Sequence, residues 1–285
     1  MPRTGPMKTH STVRLRRLSR ELRQLRAESG WTTEEAASRI GWSRSKLNRM
    51  ETGEGKPTPG DMAILCDLYS VSEPTRSALV TLAKEAGRRG WWTSYKDVFV
   101  GSYVGLEDEA AVISEWGVQL IPGLLQTEDY ARAVIRSSLA SKGVEEEVDR
   151  RVMARMARKT LVSRPSAPQV RVVLDEAVLH RPIGGAEVMN EQLRALVTAS
   201  RRPNVSVRVL PYAVGEHVGL EGSFIVLEFD QDAELDIAYV EGTAGDVYVE
   251  SSDHVDRYKV AFERICELAL PVEESRAMIT KCIKE

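Results

Sequence analysis

Apolar residues at helical spacing, interrupted by glycine and proline, dominate the first ninety residues of the chain. A first helix is indicated by an apolar residue at every third or fourth position: Leu15, Leu18, Leu22 and Leu25. Gly30 is placed to end this helix, because glycine readily adopts the left-handed backbone that follows a helix. Thr32 and Glu35 then form a capping box, which predicts a second helix that ends at Gly41.

A third helix is predicted from Ser43 to Gly53, over the sequence SRSKLNRMETG. Ser43 can cap its N-terminus, and Leu47 and Met50 supply an apolar face. The remaining side chains are polar or basic and are expected to point outward: Arg44, Ser45, Lys46, Asn48 and Arg49. The short turn Gly41-Trp42-Ser43 joins the second and third helices, which together predict a helix-turn-helix.

Two further helices complete this N-terminal segment. Thr58, Pro59 and Asp61 supply the cap, the first-turn proline and the first-turn acid of a fourth helix. A fifth helix is predicted from Glu73 to about Gly87. Short helices in this number and order predict an all-α five-helix bundle that contains the helix-turn-helix.

Beyond the bundle, β-branched segments bounded by turn residues predict strands. They are VRVVLDE, VSVRVLP, SFIVLEF, LDIAYVE and VYVE. The segment from Tyr103 to Ile135 predicts a helix, a short apolar segment, a PGLLQT turn and a helix. Further helices are predicted at 145–161, 188–200, 252–268 and 273–284. Because the last strands follow one another through short turns, we predict an α+β domain with a mostly antiparallel sheet.

These patterns divide the 285 residues into two domains and a linker, with an α+β class for the whole chain. We predict a helix-turn-helix DNA-binding domain at 13–88. An aromatic linker containing Trp91 and Trp92 follows at 89–104, and residues 105–285 form an α+β sensor or partner-binding domain. Residues 1–12 are expected to lack fixed structure.

Charge is distributed unevenly along the chain. Residues 1–90 carry 17 Lys and Arg against 10 Asp and Glu, whereas the rest carries 22 against 32. A basic N-terminal segment joined to an acidic remainder, here called the body, is expected if only the N-terminal segment binds nucleic acid. The basic residues of the first helix are equally consistent with an ordinary solvated helix face. No apolar run is long enough to cross a membrane and no signal-peptide core is present, so we expect a cytoplasmic protein.

Neither metal binding nor enzymatic chemistry is indicated by the sequence. Cys66, Cys266 and Cys282 have the separations of buried, reduced thiols, and the four histidines lack ligand spacing. The motifs GxSxG, the P-loop and HExxH do not occur. Asp175, Glu176 and His180 form the nearest approach to a catalytic cluster, but a helical turn after a strand accounts for them. We therefore expect no catalytic residues, no metal and no cofactor.

Two segments of the body could line a ligand or partner site. PGLLQT supplies Pro122, Leu124 and Gln126, with Tyr130 close behind, and these residues could line a pocket or pin a helix to the sheet. HVGLEGSF contains His217 and two glycines, which suit a mobile loop over a cavity and equally suit a plain turn.

The N-terminal segments resemble the Cro/cI-type helix-turn-helix domain of the xenobiotic-response-element family, through TTEEAASRIG, RSKLNRMETG and KPTPGDMAILCDLYSVS in that order. The resemblance implies that Arg26, late in the first helix, pairs with Glu51. It also implies which residues face base edges: Arg44, Ser45 and Arg49, with Lys46 and Asn48 beside them. Family members often have glutamine where this chain has Thr33, which leaves that DNA contact open.

Arginine can donate two hydrogen bonds to guanine, so we expect a guanine-containing half-site. Thr33, Lys56 and the amides at the start of the second helix are candidates for phosphate contacts, although ordinary solvation of a loop is the better account of Lys56 taken alone. One small domain makes few contacts, so we expect a homodimer on an inverted repeat in double-stranded DNA.

The body resembles the C-terminal domain of the actinobacterial WhiJ-like regulators, through IPGLLQTEDYARAVI, VDRRVMARMARKTL, VLDEAVLHRPIG and VSVRVLPYAVGEH among other stretches. That resemblance implies a regulator in an antitoxin-like arrangement with a small companion protein. We therefore expect a DNA-binding regulator whose body binds a companion protein. A body that senses a small-molecule effector is the second hypothesis, and an enzyme with a DNA-targeting domain is the third. An enclosed apolar cavity would favour the small molecule, and an exposed apolar patch or open sheet edge would favour the protein.

Overall fold

The computed structural model describes residues 13–86, 94–95, 98, 103–139, 145–230, 236–242 and 245–284. Contacts between these residues form two units, one that ends at Glu109 and one that begins at Ala110. Most of the segment expected to be an aromatic linker, including Trp91 and Trp92, lies outside the described residues, as do residues 1–12.

Helices make up the first unit. They are α1 (Val13–Glu28), α2 (Thr33–Arg39), α3 (Arg44–Glu51), α4 (Pro59–Leu68), α5 (Thr75–Ala86) and α6 (Tyr103–Glu109). The first five lie where apolar spacing and caps predict helices, and α6 begins inside the segment expected to be a linker. α2 and α3, joined by a four-residue turn, form the predicted helix-turn-helix.

Local signals set the ends of the helices that carry this motif. The Thr32 amide donates to Glu35 Oε2 over 2.8 Å and the Glu35 amide donates to Thr32 Oγ1 over 3.2 Å, which confirms the predicted capping box. Gly30, Gly41 and Gly53 have φ angles of +67°, +68° and +74°, in the left-handed region that glycine adopts after a helix.

A single apolar core joins the first five helices. Its buried members are Leu18, Leu22, Ala36, Ala37, Leu47, Met50, Met62, Leu65, Cys66, Leu79, Ala83 and Ala86. Leu47 is completely buried and Met50 is nearly so, which confirms that these two residues form the inner face of α3. The opposite face of the helix is consequently turned to solvent.

The second unit contains a mixed six-stranded sheet within its described residues. The strands are β1 (Val112–Gly117), β2 (Gln169–Asp175), β3 (Val205–Leu210), β4 (Phe224–Glu228), β5 (Ile237–Val240) and β6 (Val247–Val249). Their spatial order is β3-β2-β1-β4-β5-β6. β4 pairs antiparallel with β1 and β5, and β6 pairs antiparallel with β5, as expected. β1 pairs in parallel with β2, and β2 with β3, so three of the five pairings among the described strands are antiparallel, in agreement with the predicted mostly antiparallel sheet.

The central strand β1 was not among the predicted strands. Its sequence, VISEWG, contains a serine, a glutamate and a glycine, so sequence analysis indicates only a short apolar segment at this position. β1 nevertheless pairs with β2 on one side and β4 on the other, and Ile113 and Trp116 are completely buried. Pairing with distant strands therefore outweighs the weak local strand propensity.

The second unit also contains helices, and α9, α11 and α12 contact the sheet directly. The helices are α7 (Glu128–Ser138), α8 (Glu145–Arg158), α9 (Ala177–His180), α10 (Ala186–Ala199), α11 (Ser252–Leu268) and α12 (Val272–Cys282). Phe262 and Ile265 of α11 pack on Trp116 and its neighbours on one face of the sheet. At the outer edge of β3, Val209 accepts a hydrogen bond from the Leu270 amide and donates one to Ser275 Oγ, which partly closes that edge.

Three further findings concern the described residues alone. No helix among them has the length and apolar character needed to cross a membrane. No group of three or more His, Cys, Asp or Glu residues in this part of the chain could hold a metal ion. Cys66, Cys266 and Cys282 are free thiols.

Candidate nucleic-acid interface

The backbone of α3 is fixed at both ends. At its start, the Lys46 amide donates to Ser43 Oγ over 3.2 Å, so Ser43 is the predicted cap. Near its end, Ser19 Oγ of α1 donates to the Met50 carbonyl oxygen over 2.7 Å. The helix is therefore tied to α1 by a buried hydrogen bond as well as by its apolar face.

An ion pair adds a second connection between α1 and α3. Arg26 Nε donates to Glu51 Oε1 over 2.7 Å, Arg26 Nη2 donates to Glu51 Oε2 over 3.0 Å, and Arg26 Nη1 donates to the Trp31 carbonyl oxygen over 2.9 Å. Glu51 is only 3% exposed, and its hydrogen bond raises the pKa of the Arg26 guanidinium. This two-point geometry is the pair implied by the resemblance to the Cro/cI-type domain.

The outer face of α3 carries Arg44, Ser45, Asn48 and Arg49, all exposed. Arg44 and Asn48 are four residues apart, as are Ser45 and Arg49, so the four side chains form one continuous patch. Within the described residues, neither guanidinium group has an ion-pair or hydrogen-bond partner. The guanidinium groups of Arg44 and Arg49 are thus exposed to solvent beside Ser45 and Asn48, whose neutral side chains can donate or accept hydrogen bonds.

Lys46 has a different environment from the one expected from the sequence. Its Nζ lies 2.7 Å from Asp61 Oδ1 of α4 and 3.5 Å from the centroid of the Trp42 ring. Both contacts attract an ammonium group, so the side chain is directed to α4 and the turn.

The two candidates for phosphate contacts lie outside α3. Thr33 is the first residue of α2 and is half-buried, whereas Lys56 is exposed in the loop that connects α3 to α4. The Gly55 amide donates to the Arg49 carbonyl oxygen over 2.7 Å, so this loop folds back on the end of α3 and places Lys56 just beyond it.

In the second unit, the polar groups of the PGLLQT segment are used internally. Gln126 is 1% exposed, and its Nε2 donates to the Ile121 carbonyl oxygen over 2.7 Å while its Oε1 accepts from Arg155 Nη1 over 2.9 Å. The hydroxyl oxygen of Tyr130, which is completely buried, accepts from the Ile121 amide over 3.2 Å. Pro122 and Leu124 are also buried. These contacts favour the structural interpretation of the segment over a pocket.

Gln192 of α10 was not indicated by the sequence and completes the same arrangement. It is completely buried, its Oε1 accepts from the Thr127 amide over 2.6 Å, and its Nε2 donates to the Leu125 carbonyl oxygen over 2.9 Å. A glutamine on a helix gives no sequence signal for such a role, because its partners lie on a distant turn.

His217 belongs to a closely packed turn. Its Nδ1 accepts from the Gly219 amide over 3.1 Å, and its ring packs edge-on against Trp116 with centroids 5.5 Å apart. Trp116 Nε1 donates to the Gly219 carbonyl oxygen over 2.9 Å, and a Cβ at Gly219 would lie 2.6 Å from that nitrogen. The contacts favour a fixed turn over a mobile loop.

An open groove of about 410 Å³ lies between this turn and α11. Its lining residues are Val218, Asp253, Asp256, Arg257, Val260, Ala261 and Arg264. Val218 is 43% exposed and Val260 is 52% exposed, and Leu220 of the same turn is 69% exposed. The groove is therefore an apolar strip with charged residues of both signs around it.

The cluster of Asp175, Glu176 and His180 organises the backbone after β2. Asp175 Oδ1 accepts from the Ala177 amide and Glu176 Oε2 accepts from the Tyr212 amide, each over 2.8 Å. His180 Nε2 lies 3.3 Å from Glu176 Oε1, and its ring stacks on Tyr212. Both carboxylates are thus engaged with backbone donors at the end of a strand.

Comparison with known protein families matches the two parts of the chain separately. Residues 17–79 match the model of a helix-turn-helix domain, which includes α3 and its exposed arginines. Residues 100–281, well over half of the chain, match the model of a domain of unknown function, DUF5753. The chain therefore has the architecture of a helix-turn-helix regulator, with DNA as the partner that its N-terminal domain implies. A search of curated proteins and a search of solved structures find no match.

Proposed function

We propose that this chain is a sequence-specific transcriptional regulator. It belongs to the DUF5753 family and carries an N-terminal helix-turn-helix domain. The observation that carries the proposal is the outer face of α3. Its inner face is anchored by Leu47 and by the Arg26–Glu51 pair, while Arg44 and Arg49 have no partner in the described part of the chain. A helix held in this way can enter the major groove of DNA.

Within this proposal, the residues of the outer face read bases. Arg44 and Arg49 donate to guanine edges, and Ser45 and Asn48 contact neighbouring bases. Thr33 and Lys56 bind phosphates and set the register on the duplex. Because a single α3 makes few base contacts, we propose that a homodimer binds an inverted repeat.

The assignment of α3 can be tested with a DNA duplex that the full chain selects from a randomised pool. We expect Arg49→Ala to weaken binding to this duplex about tenfold, because one arginine–guanine contact contributes roughly 1–3 kcal/mol. Arg76→Ala is the matched control, since it removes the same charge from an arginine of α5 that pairs with Asp67 on α4. Equal binding by Arg49→Ala and the parent chain, with the fold intact by circular dichroism, would refute the assignment.

For the second unit, we propose that the body binds a small companion protein, in the antitoxin-like arrangement of the WhiJ-like group. The groove beside α11 supports this reading, because Val218 and Val260, which both line it, expose apolar surface. Pro122, Leu124, Gln126 and Tyr130 are buried and support it less. A small-molecule effector is the alternative, since a groove of this volume could also hold a compact ligand.

Native mass spectrometry of the full chain purified from its own host separates these alternatives. We expect a dimer that carries a small protein, and we expect Val260→Asp, a change in the lining of the groove, to release that protein. Met153→Asp is the matched control, because Met153 is 52% exposed on α8, outside the groove lining. A bound mass below that of any protein would favour the effector hypothesis.

The proposal assigns no catalytic residue and no cofactor to the chain. Asp175 and Glu176 support this assignment because both carboxylates accept backbone hydrogen bonds at the end of β2, and His180 contacts only Glu176 and the Tyr212 ring within the described residues. We also propose a cytoplasmic location, because DNA lies in the cytoplasm in the bacteria whose regulators this chain resembles.

A further inference from the structure

The ammonium group of Lys46 joins three parts of the first unit. It belongs to α3, it donates to Asp61 of α4 over 2.7 Å, and it lies 3.5 Å from the centroid of the Trp42 ring in the turn. The Trp42 amide donates to the Ala37 carbonyl oxygen over 2.9 Å, so the ring stands on a turn that is itself attached to α2.

Asp61 is shared between two tasks. Its Oδ2 accepts from the Thr58 amide over 3.0 Å and from Thr58 Oγ1 over 2.7 Å, which closes the capping box of α4. Its Oδ1 accepts from Lys46. Burial alone would raise the pKa of the Asp61 carboxyl, but the hydrogen bonds from Lys46 and Thr58 together lower it below its ordinary value. The carboxylate is therefore charged at neutral pH and is stabilised in part by the ammonium group beside it.

A move of Lys46 to a DNA phosphate would leave this carboxylate without its cation. The Asp61 side chain is only 15% exposed, so water could replace the lost contact only in part. A phosphate near an unpaired Asp61 would also be repelled by it. Both effects favour retention of the Lys46–Asp61 contact when DNA is bound.

We infer that Lys46 is a positioning residue of the DNA-binding site, which acts through Asp61 and Trp42 and makes no contact with DNA. The Lys46 contacts fix the N-terminal half of α3, and the Arg26–Glu51 pair fixes its C-terminal end. Arg44 and Arg49 then meet the bases from a helix of fixed orientation. This inference rests on the proposed function and deepens it.

The test compares Lys46→Met with Asp61→Asn, which retains an oxygen that can cap α4. For each variant, binding is measured to the duplex selected by the parent chain and to a scrambled duplex, over a range of salt concentrations. We expect both variants to lower the ratio of the two affinities by roughly fivefold, because each removes the same contact. The double variant should lower this affinity ratio no further than either single variant does. Lys46→Arg, which retains the positive charge, should keep the ratio of the parent chain.

The salt dependence separates positioning from phosphate binding. If Lys46 only positions α3, Lys46→Met leaves the slope of log affinity against log salt unchanged. A phosphate contact predicts instead a slope smaller by about one, equal losses on both duplexes, and no loss in Asp61→Asn. That second pattern would overturn the inference.

If the parent chain selects no duplex, the proposed function is refuted but the positioning role of Lys46 is not. A measurement without DNA then tests that role. We expect faster amide hydrogen exchange across α3 in both Lys46→Met and Asp61→Asn than in the parent chain. Lys56→Met is the matched control, because Lys56 is exposed in the loop after α3 and should leave exchange unchanged. Unchanged exchange in Lys46→Met would overturn the positioning role.

Discussion

Glu51 shows how much one buried charge can depend on one partner. Its carboxylate is almost completely buried, and Arg26 supplies both of the charged hydrogen bonds to it. Removing one partner of such a pair is costly because the other charge stays in a site with little water. The pair therefore stabilises the first unit only as long as both members are present.

We expect Glu51→Gln to lower the free energy of unfolding of the first unit by about 3 kcal/mol. Glutamine has the shape of glutamate, so the loss reports the charge and not the packing. Urea unfolding followed by hydrogen exchange in α1–α5 would measure it for this unit separately. Glu34→Gln is the control, because Glu34 is exposed on α2 and should change stability by less than about 0.5 kcal/mol.

The lowered pKa of Asp61 makes part of the stability of the first unit dependent on pH. A carboxyl group whose folded pKa lies below its unfolded value stabilises the fold above the unfolded pKa, which is near 3.8. That contribution is lost as pH falls through the lower, folded pKa. We expect the parent chain to be more stable than Asp61→Asn at pH 6, and the difference to shrink as the pH falls below 4. A difference that grows in acid would contradict the assigned direction of the shift.

At the scale of elements, the sequence predicts best those features that depend on interactions between residues close together in the chain. Thr32, Ser43 and Thr58 cap helices through partners three residues away, so the caps and the helix-turn-helix can be predicted from the sequence. The strand β1 could not be predicted in this way, because its strand character comes from pairing with β2 and β4, which are distant in the chain. The same reason hides the contacts of Lys46 and Gln192 from sequence analysis, since spacing on one helix does not reveal which distant atoms a side chain meets.

Gln192 connects α10 to the turn that precedes α7. If it is replaced by leucine, the Thr127 amide and the Leu125 carbonyl oxygen lose their partners. An unsatisfied buried polar group costs about 1–3 kcal/mol, so we expect Gln192→Leu to destabilise the second unit by roughly 3 kcal/mol. Thermal unfolding would show a lower Tm for this variant and not for Glu191→Leu, which alters an exposed neighbour on the same helix. Equal Tm values for the parent chain and Gln192→Leu would mean that the turn is held by other contacts.

At the scale of the whole molecule, the chain joins a basic DNA-binding segment to an acidic body more than twice its length. Residues 91–285 carry 22 Lys and Arg against 32 Asp and Glu, so this part of the chain is repelled by DNA on average. Attraction to DNA then depends on the helix-turn-helix. One such domain makes few contacts, which is why the proposed operator has two half-sites read by two copies of the chain.

The spacing of those half-sites gives a test of the proposed dimer. Two α3 helices related by a two-fold axis meet successive major grooves when the half-site centres lie one helical turn, about 10 base pairs, apart. Inserting five base pairs between the half-sites turns one of them to the opposite side of the duplex, so we expect affinity to fall to that of a single half-site. A spacer of unchanged length and altered sequence is the control and should bind as the original does. Binding that is indifferent to the insertion would show that each copy binds alone, since a linked pair gains affinity only when both half-sites can be reached together.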